Sequence, residues 1–142
     1  MWGMPDREAA HRCERTFLAF DFGSKKIGVA IGNTLTARAR PLCILRPATR
    51  DQRFEQVGAL LAEWQPDAVV VGLPLTLEGG EQPASQQSRR FARQLEGRYR
   101  LPVVMVDERG SSLEAQRILG SNAPDDAVAA AVILQRYLDS VP

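Results

Sequence analysis

A short, uninterrupted apolar segment constrains the fold of this chain most strongly. Residues 68–72 read AVVVG, and such a run is typical of a strand that is covered on both faces. Amphipathic segments flank it. A helix is predicted from an N-cap at Thr49 or Asp51 to Gln65, and a second helix at residues 83–98. We therefore expect helices that pack on a largely parallel sheet.

The other segments predict a mixed sheet. Short connections join the first three predicted strands, which favours antiparallel pairing, whereas a helix joins the last two, which favours parallel pairing. Further strands are predicted at residues 16–23, 26–33, 41–45 and 103–106, and further helices at 111–120 and 124–140. This order predicts an α/β, RNase H-like fold with a five-stranded mixed sheet, three antiparallel then two parallel strands, and helices on both faces.

Length and composition fit one domain. A chain of 142 residues can bury a core without disulfides or metals. No apolar stretch approaches the roughly 20 residues of a membrane helix, and the first residues lack the apolar segment of a secretory signal. We expect a flexible extension at residues 1–15, a single domain at 16–142, no membrane partner and a cytoplasmic location. The net charge of +1 means that nucleic-acid binding would need a local basic patch.

The scarcity of histidine and cysteine narrows the chemistry. The chain has one histidine, His11, and two cysteines, Cys13 and Cys43, without the spacing of a metal site. A histidine base or a zinc cluster is therefore not expected. The working groups of an enzyme would be carboxylates, hydroxyls, amides, arginine or lysine.

Acidic residues occur at three places that a mixed sheet would bring to one end. Asp21 lies in the first strand on the face of its small neighbours, Asp107 and Glu108 follow the last strand, and Asp125 and Asp126 begin the last helix. Each also has a simpler explanation, as a partner of arginine or as a helix cap. Converging carboxylates favour hard divalent ions, which can activate water for attack on a phosphodiester.

Several motifs in this order resemble the YqgF/RuvX family, the pre-16S rRNA nucleases related to Holliday junction resolvases. They are LAFDFGSK at 18–25, IGVA at 27–30, VVGLPL at 70–75, GGEQP at 79–83 and DER at 107–109, and the resemblance covers residues 17–138. It implies an RNase H-like fold, dependence on Mg²⁺ or Mn²⁺, and maturation of the 5′ end of 16S rRNA.

The resemblance also implies Asp21, Glu108 and Asp126 as the catalytic, metal-binding acids. In support of these three we expect Gly23, Gly72, Asp107 and Asp125.

One departure from the family concerns the segment before the last acid. The family usually has a longer, lysine-containing segment there, whereas this chain has GSNAP at 120–124 and no lysine beyond the pair at 25 and 26. A lysine that would hold substrate phosphate is missing. The residues expected to contact nucleic acid are Lys25, Lys26, Arg40, Arg89, Arg93 and Arg109. A solvated helix face would explain the helical arginines equally well.

Four functions fit this pattern. A nuclease acting on structured RNA is favoured, as a monomer or weak homodimer. Resolution of branched DNA would require a symmetric dimer with spaced sites, and the sequence shows no dimer face. A nucleic-acid-binding module with weak activity would follow from the missing lysine. An actin-like ATPase would need two lobes, and 142 residues supply one.

Overall fold

The computed structural model describes residues 14–109 and 126–141. Within these ranges the elements are β1 (Thr16–Phe22), β2 (Ile27–Asn33), β3 (Arg38–Leu45), α1 (Arg50–Trp64), β4 (Ala68–Leu73), α2 (Pro83–Tyr99), β5 (Val103–Asp107) and α3 (Asp126–Ser140). Most of the predicted extension (residues 1–13), the predicted helix at 111–120 and the segment at 120–124 lie outside the described residues. No helix in the described ranges is both long and apolar enough to cross a bilayer.

The strands form one sheet in the order β3-β2-β1-β4-β5. β2 pairs antiparallel with both β1 and β3, whereas β4 pairs parallel with both β1 and β5. This arrangement confirms the predicted mixed sheet. Because β1, β4 and β5 run in the same direction, their carboxyl ends meet at one edge of the sheet, where open α/β sheets bind ligands.

Alternate side chains of β1 pack into two separate hydrophobic cores, one on each face of the sheet. Leu18 and Phe20 are fully buried in the core formed with α1 and α2, whereas Phe17 and Ala19 are fully buried in the core formed with α3. Phe91 of α2 closes the first core, with its ring 5.9 Å from that of Phe20 in an edge-to-face contact. Helices therefore cover both faces of the sheet, as predicted.

The sheet face beneath α3 is built from small residues. A Cβ atom on Gly28 would lie 2.0 Å from the carbonyl oxygen of Asp126, and one on Gly32 would lie 3.1 Å from Cδ2 of Leu134. Residues 127–134 of α3 are all buried, which fits their continuous apolar sequence. The first turn of α3 is thus held directly against the backbone of β2.

β3 begins at Arg38, earlier than the start predicted at Pro41. A proline cannot donate to a ladder and usually marks a strand boundary. Here β3 is an edge strand, and its pairing shifts register between Val29 and Ala30, where Pro41 faces Ala30. Edge strands and bulges are the two places in a sheet that tolerate proline, so the strand continues through it.

The buried face of α2 differs from the simplest apolar pattern, in which Ala84 faces inward. Ala84 is exposed, and Ser85 and Ser88 are buried in its place. The Ser85 hydroxyl accepts a hydrogen bond from the backbone N–H of Gln82 and donates one to the carbonyl oxygen of Pro74. A polar residue is buried here because it ties the start of α2 to the loop after β4.

Substitution of Gly28 tests the close packing of α3. We expect Gly28→Ala to destabilise the protein by about 1–3 kcal/mol, because the added methyl meets backbone atoms rather than a flexible side chain. Gly97→Ala is the matched control: nothing lies within 4 Å of its Cβ position, and alanine favours a helix by about 0.5–1 kcal/mol. Urea unfolding measures both. A Gly28→Ala protein as stable as wild type would contradict the packing.

Candidate active site

Asp21 lies near the carboxyl end of β1, on the face covered by α3. It is the residue after Phe20 and therefore points to the opposite face from that side chain. Its partner across the antiparallel pair is Gly28, the residue on which the first turn of α3 rests. The lack of a side chain at Gly28 leaves room for α3 to approach, and so brings Asp126 close to Asp21.

Glu108 follows β5 directly and extends its pairing with β4. Its backbone N–H donates to the carbonyl oxygen of Leu73 at 3.1 Å. A Cβ atom on Gly72 would lie 2.8 Å from Oε2 of Glu108 and 2.7 Å from Cδ1 of Ile133. Glycine at position 72 therefore provides the space that the Glu108 carboxyl occupies.

The carboxyls of Asp21 and Glu108 form a hydrogen-bonded pair, and both residues are half-buried. Burial, then the charge of Asp21, raises the pKa of Glu108 to about 8. Burial also raises the pKa of Asp21 to about 6, although the hydrogen bond from Glu108 opposes this shift. Neighbouring carboxylates disfavour each other's ionisation, so at neutral pH the pair retains a proton unless a cation joins it.

Asp126 is the first residue of α3 and lies at the edge of this pair. Its negative charge raises the pKa of Asp21 further, and its Oδ2 lies 3.2 Å from Nζ of Lys26. In residues 14–109 and 126–141, no group of three or more Asp, Glu, His or Cys side chains is arranged to hold a metal ion. The structure therefore brings Asp126 beside the pair without completing a three-ligand group. Asp125 lies outside the described residues.

Asp107 does not face the carboxyl pair. Its Oδ2 forms an ion pair with the guanidinium of Arg109 at 2.6 Å, and the hydrogen bond from Arg109 keeps the pKa of Asp107 below its usual value. The simpler explanation considered for the DER motif thus holds for Asp107. It does not hold for Glu108, which turns toward Asp21.

Arg136 is a charged neighbour of the site that the sequence reasoning missed. Its Nη1 donates to the backbone carbonyl of Asp107 at 3.1 Å, and its positive charge opposes the rise in the pKa of Glu108. Arg136 is the one basic residue in the sequence of α3. A lone cation in a helix whose residues 127–134 are all apolar is a signal that would have identified it.

The turn between β1 and β2 carries both lysines. A Cβ atom on Gly23 would lie 2.6 Å from the carbonyl oxygen of Lys26, so the turn requires a glycine. Lys25 is exposed and Lys26 is paired with Asp126. Arg40 lies elsewhere: its guanidinium is 5.9 Å from the ring centroid of Trp64, on the face of the sheet opposite the acids. The structure does not bring Arg40 to this site.

The predicted basic residues of α2 and the DER motif are on the surface. Arg89 is paired with Glu81 at 2.7 Å, and Arg93 is exposed on the same helix. Arg109 is held by Asp107 and also donates to the carbonyl oxygen of Leu77 at 3.2 Å. Two of these three arginines therefore already have an acidic partner.

The carboxyl pair has the donor chemistry that Mg²⁺ or Mn²⁺ requires. Both ions prefer carboxylate oxygens, and Asp21 and Glu108 present such oxygens together at the sheet edge. A divalent cation there would replace the retained proton and stabilise both charges. Asp126 would become a third ligand if Lys26 released it.

A family model described as "RuvX: Holliday junction resolvase" matches residues 15–140. The chain belongs to the RuvX family. Among similar RuvX relatives, one from Bordetella petrii is 67% identical over 129 residues, which cover 91% of this chain and 98% of the relative. One from Paraburkholderia phytofirmans is 54% identical over 132 residues, with 90% of each chain covered. Both carry the name "Putative pre-16S rRNA nuclease".

Solved structures of junction resolvases share the fold of this RuvX chain. RuvC of Thermus thermophilus bound to a Holliday junction gives a TM-score of 0.55 at 17% identity, covering 87% of this chain and 93% of RuvC. The fowlpox virus resolvase bound to its junction gives 0.57 at 14%, covering 88% and 97%. The predicted RNase H-like fold and family are confirmed, and the family and its relatives support the predicted nuclease function.

The carboxyl pair should make the metal-free protein less stable at higher pH. The pKa values of Asp21 and Glu108 are raised in the folded state, so between their ordinary values and about 6 to 8 the folded state binds more protons than the unfolded state. The stabilisation is therefore complete at acid pH and is lost as the pH rises through that window.

We expect the Tm of wild type in EDTA to fall more between pH 5 and pH 8.5 than that of Glu108→Gln, since the amide cannot ionise. Glu96→Gln, a change at an exposed position of α2, should retain the wild-type slope. Thermal unfolding followed by circular dichroism measures all three. Parallel curves for wild type and Glu108→Gln would contradict the shared proton.

Proposed function

We propose that this RuvX chain is a divalent-metal-dependent nuclease that hydrolyses phosphodiester bonds in the 5′-end maturation of pre-16S rRNA. The observation that carries the proposal is the half-buried Asp21–Glu108 pair at the carboxyl ends of the parallel strands. Carboxyls held together out of much of the water are costly, and strongly shifted pKa values cluster at functional sites. A cytoplasmic location follows from the proposed role.

Asp21, Glu108 and Asp126 would act together as ligands of the divalent metal. When bound, Mg²⁺ or Mn²⁺ supplies the charge that activates water and stabilises the leaving oxygen. Asp21, Glu108 and Asp126 would bind the ion through their carboxylate oxygens. The Glu108 proton would pass to solvent water, and the Asp126 carboxylate would leave its ion pair with Lys26. The Lys26 ammonium would then be free beside the site to contact a substrate phosphate.

Exposed basic residues of the turn after β1 and of α2 would hold the nucleic acid. Lys25 and Lys26 lie in the turn that follows β1, and Arg89 and Arg93 lie on exposed positions of α2. Phosphate contacts by Lys and Arg supply affinity without reading sequence. These contacts would compensate for the lysine that the segment before Asp126 lacks.

Branched DNA is the second candidate substrate. It is favoured by the family description, which names a Holliday junction resolvase, and by the shared fold with RuvC. RNA is favoured by the name of the relatives that are 54% to 67% identical over most of their length. We therefore place structured RNA first.

Replacement of the paired acids should abolish cleavage. We expect Asp21→Asn and Glu108→Gln each to reduce cleavage of a pre-16S 5′-end RNA in Mn²⁺ by more than about 100-fold, since loss of an outer partner of a metal ligand alone costs roughly 10–100-fold. Gel analysis of labelled RNA in Mg²⁺, Mn²⁺ or EDTA gives the rates.

Two controls accompany this experiment. Glu96→Gln removes an acid far from the pair and should cut at the wild-type rate, and circular dichroism should show that each variant is folded. A four-way DNA junction assayed in parallel distinguishes the substrates. Undiminished cleavage by Asp21→Asn would refute the metal role of the pair, and binding without cleavage in either metal would refute the enzyme itself.

A further inference from the structure

A pocket lies on the face of the sheet opposite the acids. It has a volume of about 310 Å³ and lies between the β1–β2 turn, the start of α1 and the middle of α2. Phe22 and Phe91 form its floor, with their rings stacked at 4.6 Å. Arg50, Arg53 and Arg90 line its walls.

Among the described residues, the three arginines of the pocket have no acidic side chain beside them in the lining to balance their positive charge. No acidic residue lines it, and within residues 14–109 and 126–141 the ion pairs do not involve Arg50, Arg53 or Arg90. This distinguishes them from Arg89, the neighbour of Arg90 in α2, which has a glutamate partner. Burial and the nearby charge of Arg50 both lower the pKa of Arg53. Three cations gathered in this way repel one another unless an anion joins them.

Arg53 is held in a position to receive that anion. Its guanidinium lies 5.0 Å from the ring centroid of Phe22, a contact that restricts a planar cation. Its Nε is buried and lacks a hydrogen-bond partner in the described part of the chain. Buried donors are normally satisfied, so an unsatisfied guanidinium N–H beside a cavity indicates a missing acceptor.

We propose that this arginine pocket, defined by Arg50, Arg53 and Arg90, binds a backbone phosphate of the nucleic-acid substrate. A phosphate group offers several oxygens to planar guanidinium donors and carries the charge that the pocket lacks. That the phosphate belongs to a nucleic acid rests on the proposed nuclease function.

The position of the arginine pocket fits a strand that also reaches the acids. Asp21 and Phe22 are consecutive in β1 and point to opposite faces, so the acids and the pocket lie on either side of the same strand end. The turn between them contributes Ser24 to the pocket and Lys26 to the Asp126 side. A nucleic-acid strand crossing this turn would contact both sites, and the pocket would set which phosphate lies at the acids.

Binding measured in EDTA tests the arginine pocket apart from cleavage. The probe is a fluorescein-labelled single-stranded RNA titrated with full-length protein over a series of salt concentrations. We expect Arg53→Gln and Arg90→Gln each to weaken binding by about tenfold, as for loss of a charge-assisted hydrogen bond. Each should also reduce the slope of log K against log salt by about 0.7, the value for one phosphate contact on a single strand.

The matched control is Arg15→Gln, which removes the same charge at the opposite end of β1, where Arg15 contacts Phe17. It should leave affinity and slope close to wild type. Arg53→Lys retains the charge and should restore part of the affinity. Arg90 is exposed, so Arg90→Gln remains informative if Arg53→Gln fails to fold.

Three results would overturn the proposal. Equal losses of RNA affinity for Arg15→Gln and Arg53→Gln would mean that the loss comes from the change in net charge alone. Weaker binding with an unchanged salt slope would mean that the pocket holds a base on Phe22 rather than a phosphate. Binding of inorganic phosphate that Arg53→Gln abolishes, with RNA affinity unaffected, would assign the pocket to a free anion. Because no cleavage is measured, an inactive nuclease would not produce any of these results.

Discussion

The close contact between α3 and the backbone of β2 determines where the acids of this protein lie. α3 can approach because β2 has Gly28 and Gly32 on that face and β1 has Ala19 beside them. Larger residues would raise the helix off the sheet. With the helix in place, its first residue, Asp126, lies next to Asp21, although 105 positions separate the two in the sequence. The small residues under α3 therefore bring together two carboxylates that are far apart in the sequence.

The result is a site whose charges are not balanced by the fold alone. Asp21 and Glu108 are half-buried as a pair and retain a proton at neutral pH, while Lys26 and Arg136 supply positive charge at the rim. A stable core would have apolar residues here. The proposed cation site would require the opposite, namely carboxylates that a bound ion balances, at a cost in stability to the metal-free protein.

The sequence predicted local features better than contacts between distant segments. Alternation in β1 placed Asp21 on the face of its small neighbours, which α3 covers in the structure, and the apolar strand before Glu108 placed that acid at the sheet edge. The pairing of Lys26 with Asp126 was not predicted, because it depends on how α3 meets a distant turn. Arg40 was grouped with the nucleic-acid contacts by charge, but the strand order puts it over Trp64. The arginine pocket was missed because α1 and α2 each supply only part of it.

The edge strand β3 bears on the choice between RNA and branched DNA as substrate. Symmetric cleavage of a four-way junction needs two sites at a fixed spacing, and hence a dimer. Edge strands are a common route to such association, but β3 presents Arg38, Arg40 and Pro41 in exposed positions, and charge and proline on an edge oppose strand pairing. A dimer would have to form through another surface. A substrate that one site can process alone requires no such surface, and a single cut near the 5′ end of an RNA meets that condition.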